Sequence, residues 1–349
     1  NKKMKKPYLK SANRLIGESY KPLIIAEIGI NHEGSIEKAF KIAKSAIDSG
    51  AEVIKHQTHV LEDEMSLEAK FIKPGNSNKN IFEIIKKNSL NIEDEFKLMN
   101  FIKKNKKIFI STPFSRKAVD RLTKFKVPAF KIGSGECNNY LLVDYIAKQK
   151  KPIILSTGMN SISTIQPNIK IFKKYKTKFA LLHCTNIYPT PDKLVRLNAL
   201  EILRKKFPNA VIGLSDHTSS IYTSLGAIAL GASIIERHYT DSKKRKGPDI
   251  SSSMDSYDLI NLKRGSETIF AARGSNKEPL KEEKKTINFA FASAASTRSI
   301  KKGERLTLEN FYLMRPSGGD FNIKNFKNLV NKKAKKNIPA LTQIKKKWV

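Results

Sequence analysis

Two histidines, two lysines and a group of hydroxyl and amide residues follow short apolar runs along this chain. The histidines are His217 and His238, and the cationic and hydrogen-bonding group is Lys55, Thr112, Lys131, Ser134, Ser156, Asn186 and Ser215. Fixed positive charge combined with hydroxyl and amide donors is what a phosphate-bearing anion requires. Two imidazoles could share one divalent ion, with water, carboxylate or substrate completing its coordination. The residue types therefore favour an open catalytic site over a closed structural one.

The elements that must position these residues alternate between short apolar runs and amphipathic stretches, which is typical of βα units. The predicted strands are residues 23–29, 52–58, 107–111, 129–132, 152–156, 179–184, 210–213 and 233–237. The predicted helices are residues 35–48, 92–104, 116–125, 140–148, 163–175, 194–206, 220–230 and 255–272. This order and length predict a (β/α)₈ TIM barrel. An open doubly wound sheet would require a glycine-rich fingerprint after the first strand, and residues 27–34 do not form one.

In such a barrel, the loops after the carboxyl ends of the strands form one rim around the axis. The first predicted strand brings Glu27 to this rim, and the second brings Lys55 and Gln57. Capping or turn formation explains hydroxyl residues at strand ends well, but it explains lysines and histidines poorly. A core or capping role is the alternative for each histidine taken alone. We therefore expect the candidate residues to converge on one site.

The chain is strongly basic, with 66 Lys and Arg against 32 Asp and Glu and a formal net charge of +34. Such an excess is typical of nucleic-acid binding. However, only 12 of these residues are arginine, and the charge is spread over nearly every predicted surface helix. We interpret it as compositional bias on a solvated surface and expect no nucleic-acid partner. A small anionic substrate remains compatible with the charge.

No stretch approaches the ~20 apolar residues of a membrane helix, and the first residues lack the apolar segment of a signal peptide. Cys137 and Cys184 stand far apart, so neither a disulfide framework nor a cysteine zinc site is predicted. We expect a cytoplasmic protein without a membrane partner. Its predicted organisation is a barrel catalytic domain over residues 1–275, a Lys/Glu-rich linker over 276–286 and a small β-rich domain over 287–349.

Eight segments of the chain resemble the sialic acid synthase family, which includes N-acetylneuraminate, legionaminic acid and pseudaminic acid synthases. They are residues 25–32, 111–114, 130–136, 155–159, 183–189, 213–218, 236–240 and 247–249, in that order. The tail, with Arg298, Lys302 and Met314 in its motifs, is similar to the antifreeze-like (SAF) domain of that family. The resemblance covers nearly the whole chain.

This resemblance implies a transferase that condenses phosphoenolpyruvate with an N-acetylmannosamine-type sugar and water, giving a nine-carbon sialic-type acid and phosphate. It implies a divalent metal, Mn²⁺ or Mg²⁺, on His217 and His238. The implied phosphoenolpyruvate ligands are Lys55, Thr112, Lys131, Ser134, Ser156, Asn186 and Ser215. The implied sugar-facing residues are Glu27, Gln57, Tyr188, Asp249 and Arg298, with Glu27 handling protons. It also implies a homodimer formed by swapping of the SAF domain, so that Arg298 reaches the partner's site.

Two other functions fit parts of the sequence. A related synthase could use another aldehyde, either a 2,4-diacetamido-trideoxy-hexose giving legionaminic or pseudaminic acid, or a 6-phosphorylated sugar. The basic residues 243–245 give the phosphorylated sugar some weight. A non-enzymatic polysaccharide-binding or nucleic-acid-binding protein on the same fold is disfavoured, because a disused site should have lost a lysine or histidine from the rim.

Overall fold

The computed structural model describes residues 6–74, 78–274 and 276–349, which fall into two compact units, Asn1–Gly274 and Ser275–Val349. Ser275, where the sequence predicts that the barrel domain ends, lies outside the described residues. Within the described residues, no helix is long and apolar enough to cross a membrane.

The first unit contains a closed barrel of parallel strands, and the predicted fold class is confirmed. In the described part of the chain, eight strands close the barrel in the order β10-β3-β4-β5-β6-β7-β8-β9. They are β3 (Leu23–Glu27), β4 (Val53–Thr58), β5 (Ile108–Pro113), β6 (Phe130–Ile132), β7 (Ile153–Ser156), β8 (Phe179–Cys184), β9 (Val211–Ser215) and β10 (Ile234–His238). The register places the carboxyl ends of β10, β3 and β4 at the same height in the barrel, since Glu27 lies opposite both Lys55 and His238.

Helices surround this barrel. They are α1 (Ile36–Asp48), α2 (Leu61–Glu64), α3 (Ile81–Asn88), α4 (Ile92–Lys104), α5 (Arg116–Lys124), α6 (Tyr140–Ala147), α7 (Ile162–Lys174), α8 (Ala199–Lys206), α9 (Tyr222–Ala229) and α10 (Ser256–Ala272). Several begin at a side-chain cap, as where Ser35 accepts from Lys38 N and Asn91 accepts from Asp94 N. Such caps satisfy backbone donors that the first helical turn leaves free.

A hairpin that the sequence pattern did not predict lies at the amino-terminal end of the barrel. Strands β1 (Tyr8–Ser11) and β2 (Arg14–Gly17) pair antiparallel, with Leu9 opposite Ile16. Both side chains are buried in one apolar cluster with inward-facing barrel residues such as Ile25 and Val53. The barrel interior at this level is therefore filled by apolar side chains, and polar residues are left to the opposite end.

Alternation along the strands divides their side chains between two layers. In β4, Val53 belongs to the cluster inside the barrel, whereas Ile54 belongs to the larger cluster between strands and helices. Lys55 and Gln57 follow Val53 in this alternation and line the cavity described below. His56 follows Ile54 and contacts Glu95 on α4. One strand thus supplies the site on one face and the helix layer on the other.

The segment between β4 and α4, for which the sequence pattern predicted no helix, contains α2 and α3. The second unit also differs from expectation, because α11 (Lys284–Ala290) begins inside the predicted linker. That unit has one described sheet, in which β11 (Ser293–Ser296) and β12 (Phe311–Met314) pair antiparallel. Its apolar core is Ala294, Ile300, Leu306, Phe311, Phe321, Leu329, Ala334, Ile338 and Ile344.

Candidate active site

A cavity of about 280 Å³ opens at the carboxyl ends of the barrel strands. Its lining is rich in polar and ionisable side chains and comprises Glu27, Lys55, Gln57, Thr112, Phe114, Lys131, Gly133, Ser134, Gly135, Glu136, Ser156, Met159, Cys184, Asn186, Tyr188, Ser215, His217, Glu236 and His238. Two sequence-predicted site residues are outside this lining. Asp249 lies beside it, with Oδ2 at 3.5 Å from His238 Nδ1. Arg298 belongs to the second unit, where its guanidinium pairs with Glu304 at 2.8 Å.

Lys55 occupies the centre of a buried charge cluster. Its side chain is 5% exposed, and Nζ forms an ion pair with Glu27, donates to Thr112 Oγ1 at 3.0 Å and lies 3.8 Å from Glu236 Oε1. Burial disfavours the ammonium form, but Glu236 and Glu27 outweigh burial and raise the pKa of Lys55 above its ordinary value. This lysine is consequently a fixed positive charge.

Lys131 lies on the other side of Glu236 and is bound mainly by neutral oxygens. Its Nζ donates to Ser156 Oγ at 2.7 Å and to Ile132 O at 2.9 Å, and lies 3.7 Å from Glu236 Oε1. Burial lowers the pKa of Lys131, an effect that the charge of Glu236 offsets only in part. An anion in the cavity would relieve this penalty, because it would favour the charged form.

Hydroxyl, amide and backbone groups close in beside the lysines. Ser134 Oγ accepts from Gly158 N at 3.0 Å, which joins the ends of β6 and β7. A Cβ atom on Gly158 would lie only 1.8 Å from Asn186 Oδ1 and 2.9 Å from Ser134 Oγ. Only glycine allows this close approach. The three loops can therefore present a compact set of donors to one anion.

The two predicted metal-ligand histidines, His217 and His238, lie next to each other in the cavity wall. Their ring centroids are 5.3 Å apart, and Tyr188 packs against His217 with centroids 4.2 Å apart. Thr185 O lies 3.0 Å from His217 Nδ1, so that nitrogen donates and Nε2 is the atom that could bind a metal ion. His238 Nδ1 is buried and has no hydrogen-bond partner among the described residues.

This donor set fits a divalent ion only in an open site. Within residues 6–74, 78–274 and 276–349, no group of three or more His, Cys, Asp or Glu side chains is placed to hold a metal. Two imidazoles alone would leave the remaining positions to water or substrate, as in catalytic metal sites. The carbonyl that orients His217 is a typical outer partner of a ligating histidine.

Glu136 is a cavity residue to which sequence reasoning gave no role. It lies in the short 3₁₀ turn Gly135–Asn138 after β6, and its carboxylate would collide with any side chain at Gly133. Burial raises the pKa of Glu136 to about 7. A carboxyl group with such a pKa can donate or accept a proton near neutrality. Its place in the 130–136 motif was the available signal.

A buried ion pair supports the strand ends that carry the histidines. Asp216, between Ser215 and His217, accepts from Arg237 Nη1 at 2.6 Å, and Arg237 Nη2 donates to Thr218 O at 2.6 Å. Burial opposes ionisation of Asp216, yet Arg237 and neighbouring hydroxyls bring the pKa below its ordinary value. The pair links β9 to β10 directly behind the cavity.

Comparisons with known proteins agree with this geometry. The NeuB family profile matches residues 42–278, and the SAF domain profile matches residues 291–348. The chain is 37% identical over 307 residues to an N,N'-diacetyllegionaminic acid synthase of Campylobacter jejuni, with 86% of this chain and 92% of that protein covered. It is 30% identical over 324 residues to human N-acetylneuraminate-9-phosphate synthase, with 92% and 90% covered.

A solved structure is similar over the same range. The N-acetylneuraminic acid synthetase of Leptospira borgpetersenii, solved in complex with citrate, matches with a TM-score of 0.74 and 32% identity, covering 81% of this chain and 95% of that one. The predicted family and the predicted enzyme class are both confirmed. The chain belongs to the NeuB family of sialic acid synthase-type enzymes, which are transferases that condense phosphoenolpyruvate with sugars, and it carries a SAF domain.

Proposed function

We propose that this chain condenses phosphoenolpyruvate with an unphosphorylated N-acetylmannosamine-type sugar and water, giving a nine-carbon sialic-type acid and inorganic phosphate. The observation that carries the proposal is one cavity with a buried lysine pair on one side and a histidine pair on the other. The lysine side suits a phosphate dianion, and the histidine side suits polarisation of an aldehyde.

Phosphoenolpyruvate would occupy the lysine side. Its carboxylate and phosphate would draw on Lys55 and Lys131 and on the donors around them, which are Thr112, Ser134, Ser156, Asn186 and Ser215. Support comes from the burial of both lysines, because charge interactions strengthen where water is excluded. Their existing contacts with Glu27 and Glu236 also hold the ammonium groups in place before substrate arrives.

The sugar would lie near the histidines, with Gln57, Tyr188 and Asp249 towards its polar groups. His217 and His238 would hold a divalent ion, Mn²⁺ or Mg²⁺, which would supply Lewis-acid polarisation of the aldehyde oxygen. The enol methylene carbon then forms a bond to the aldehyde carbon. The aldehyde oxygen takes up a proton, and water adds to the former enol carbon before the C–O bond to phosphate breaks.

Two carboxyl groups can divide the proton transfers. Glu27 is ion-paired with Lys55 and accepts from Gln57 Nε2 at 3.0 Å, so it is an acceptor for the proton of the attacking water. Glu136, whose pKa burial raises to about 7, follows Ser134 on the phosphoenolpyruvate side and can supply the proton that the departing phosphate takes up. Two carboxyl groups with different environments commonly divide acid and base roles in this way.

The ion pairs of the loop after β10 favour an unphosphorylated sugar over a 6-phosphorylated one. Lys243 Nζ lies 2.5 Å from Asp258 Oδ2, and Arg245 forms a two-point contact with Asp241, with Nη2 to Oδ2 at 2.9 Å. Lys243 and Arg245 each have a carboxylate partner, so residues 243–245 offer a sugar phosphate less charge than their sequence indicates. A 2,4-diacetamido-trideoxy-hexose has no phosphate either. It is the second candidate acceptor, because the chain is similar to the N,N'-diacetyllegionaminic acid synthase of Campylobacter jejuni.

The proposed assembly is a homodimer in which the SAF domain of one copy serves the barrel of the other. Arg298 is 58% exposed despite its contact with Glu304, so its guanidinium is accessible to a second copy. Light scattering at micromolar concentration would give a dimer mass, and removal of residues 287–349 would give a monomer without synthase activity. A monomeric, fully active full-length chain would contradict the assembly.

Phosphate release tests the activity itself. Purified protein with Mn²⁺ and phosphoenolpyruvate is assayed with N-acetylmannosamine, its 6-phosphate and the diacetamido-trideoxy sugar, and we expect the highest kcat/KM with an unphosphorylated acceptor. Lys131→Met should lower kcat/KM for phosphoenolpyruvate by about 100-fold or more. The matched control Lys148→Met removes an exposed ammonium that pairs with Asp144 and should leave kcat/KM unchanged. Failure of every acceptor would refute the proposal.

A further inference from the structure

We propose that His59 is a positioning residue that fixes the Gln57 amide, and through it Glu27, with Glu64 as its anchor. The inference rests on the proposed function, because that function places the sugar beside Gln57 and Glu27. His59 itself is absent from the cavity lining, so it acts through another side chain.

The His59 ring is held tightly beside the cavity. It follows β4 directly, its side chain is 2% exposed, and it stacks on Phe114 with centroids 4.3 Å apart and an interplanar angle of 10°. Phe114 forms part of the cavity wall. Stacking on Phe114 therefore restricts movement of the imidazole, and the same Phe114 ring lines the cavity in which the substrate would bind.

The edge of the ring joins two acceptors. His59 Nδ1 lies 3.0 and 2.9 Å from the two carboxylate oxygens of Glu64, and Nε2 lies 3.2 Å from Gln57 Oε1. Both ring nitrogens face oxygen atoms of these two groups, so each is placed to donate a hydrogen bond. Glu64, Gln57 and the ring thus form one continuous set of hydrogen bonds.

The orientation of the Gln57 amide follows from its neighbours. Gln57 Nε2 is 3.0 Å from Glu27 Oε1, and Glu27 is a carboxylate ion-paired with Lys55 that can only accept. The amide nitrogen must therefore face Glu27, and Oε1 must face His59. If His59 no longer donated, the amide could turn and set Oε1 against Glu27, because rotation of the amide group about the Cγ–Cδ bond is broad. Both sugar-facing groups would then lose their fixed positions.

Glu64 is itself anchored to the barrel. It ends α2, and the preceding Asp63 accepts from Lys117 N at 2.8 Å in the first turn of α5. Arg116, at the same end of α5, lies 3.6 Å from Asp63. Helix α2 is consequently held against α5, and this contact fixes the position from which the Glu64 carboxylate reaches His59.

Two substitutions separate this role from simple packing. His59→Phe keeps the stacking on Phe114 and removes both N–H donors, and we expect KM for the acceptor sugar to rise by about tenfold. KM for phosphoenolpyruvate should stay within about twofold, because Thr112 and Glu236 still hold Lys55 if Glu27 moves. Glu64→Gln should raise KM for the sugar by a smaller factor. The matched control Glu62→Gln changes a carboxylate on the same helix that is 68% exposed and pairs with Lys117, and should leave both KM values unchanged.

A coupling cycle with Gln57→Ala decides whether His59 acts through the amide. If it does, the double variant H59F/Q57A should have the same KM for the sugar as Q57A alone. The inference would be overturned if the effects of the two single substitutions on KM for the sugar multiplied in the double variant. It would also be overturned if His59→Phe raised KM for the sugar and KM for phosphoenolpyruvate equally. Glu64→Gln gives the same decision if His59→Phe does not fold. If the wild-type chain is active and His59→Phe leaves KM for the sugar unchanged, the inference alone is contradicted. If the wild-type chain turns over no acceptor, the proposed function and the inference are both contradicted.

Discussion

Replacing Asp216 with asparagine tests how much the buried ion pair behind the histidines stabilises the barrel. Asp216 Oδ2 accepts from Arg237 Nη1 at 2.6 Å, from Thr223 Oγ1 at 2.7 Å and from Ser224 Oγ at 2.5 Å. Its other oxygen accepts from Thr218 N at 3.0 Å. Both side chains of the ion pair are at most 1% exposed.

The substitution removes the charge and one acceptor. The asparagine oxygen can serve the three donors at the Oδ2 position, but the amide nitrogen then faces the N–H of Thr218. Arg237 is left as a buried charge without its partner, which typically costs about 3–5 kcal/mol. Unfolding entropy is about 2.1 cal/mol/K per residue, or roughly 0.6 kcal/mol/K for the Asn1–Gly274 unit. The expected fall in Tm is therefore about 5–9 °C.

Differential scanning calorimetry at neutral pH measures this change. Asp144→Asn is the control, because Asp144 makes its ion pairs with the exposed Lys148 and Lys174 and should contribute less than about 1 kcal/mol. A D216N protein whose Tm stays within about 2 °C of wild type, and so behaves like the control, would refute the reasoning.

Two further predictions concern close packing and pH. Gly158→Ala should reduce phosphate release by about 100-fold, because its Cβ atom would lie 1.8 Å from Asn186 Oδ1 and displace the loop; wild-type rates would show that the approach is not needed. Burial opposes ionisation of Glu95, but His56 and Arg121 together hold its pKa below the ordinary 4.5. The carboxylate therefore contributes stability above about pH 4.5 that is lost as pH falls through the folded-state pKa. Glu95→Gln should make Tm decrease less steeply as the pH is lowered into the acid range. A plot of Tm against pH that runs parallel to that of the wild type would contradict this.

The barrel could be predicted because its strands and helices carry strong local signals. The bounds of β8 and α4 agree with prediction, since one is a continuous apolar run and the other a capped amphipathic stretch. The hairpin of β1 and β2 was missed, because two four-residue strands give little periodicity and their burial depends on the barrel that they close. Helix α2 has only four residues and was missed for the same reason of length.

The cavity lining could be predicted where geometry alone decides it. Alternation along β4 brings Lys55 and Gln57 to the inner face, and the register that pairs Glu236 with Ser215 brings His217 and His238 to the same rim. Glu136 and His59 were not given roles because their importance comes from tertiary burial and from partners distant in sequence. The raised pKa of Glu136 and the bridge from His59 to Glu64 exist only once the loops are folded.

The most direct test of the central claim follows the bridging oxygen of phosphoenolpyruvate. The chain is incubated with Mn²⁺, N-acetylmannosamine and phosphoenolpyruvate that carries a heavy oxygen isotope between carbon and phosphorus, and both products are analysed by mass spectrometry. The proposed reaction predicts one phosphate that retains the label for each nine-carbon acid formed, because the C–O bond breaks. Label remaining in the acid, or no phosphate released with any acceptor, would contradict it.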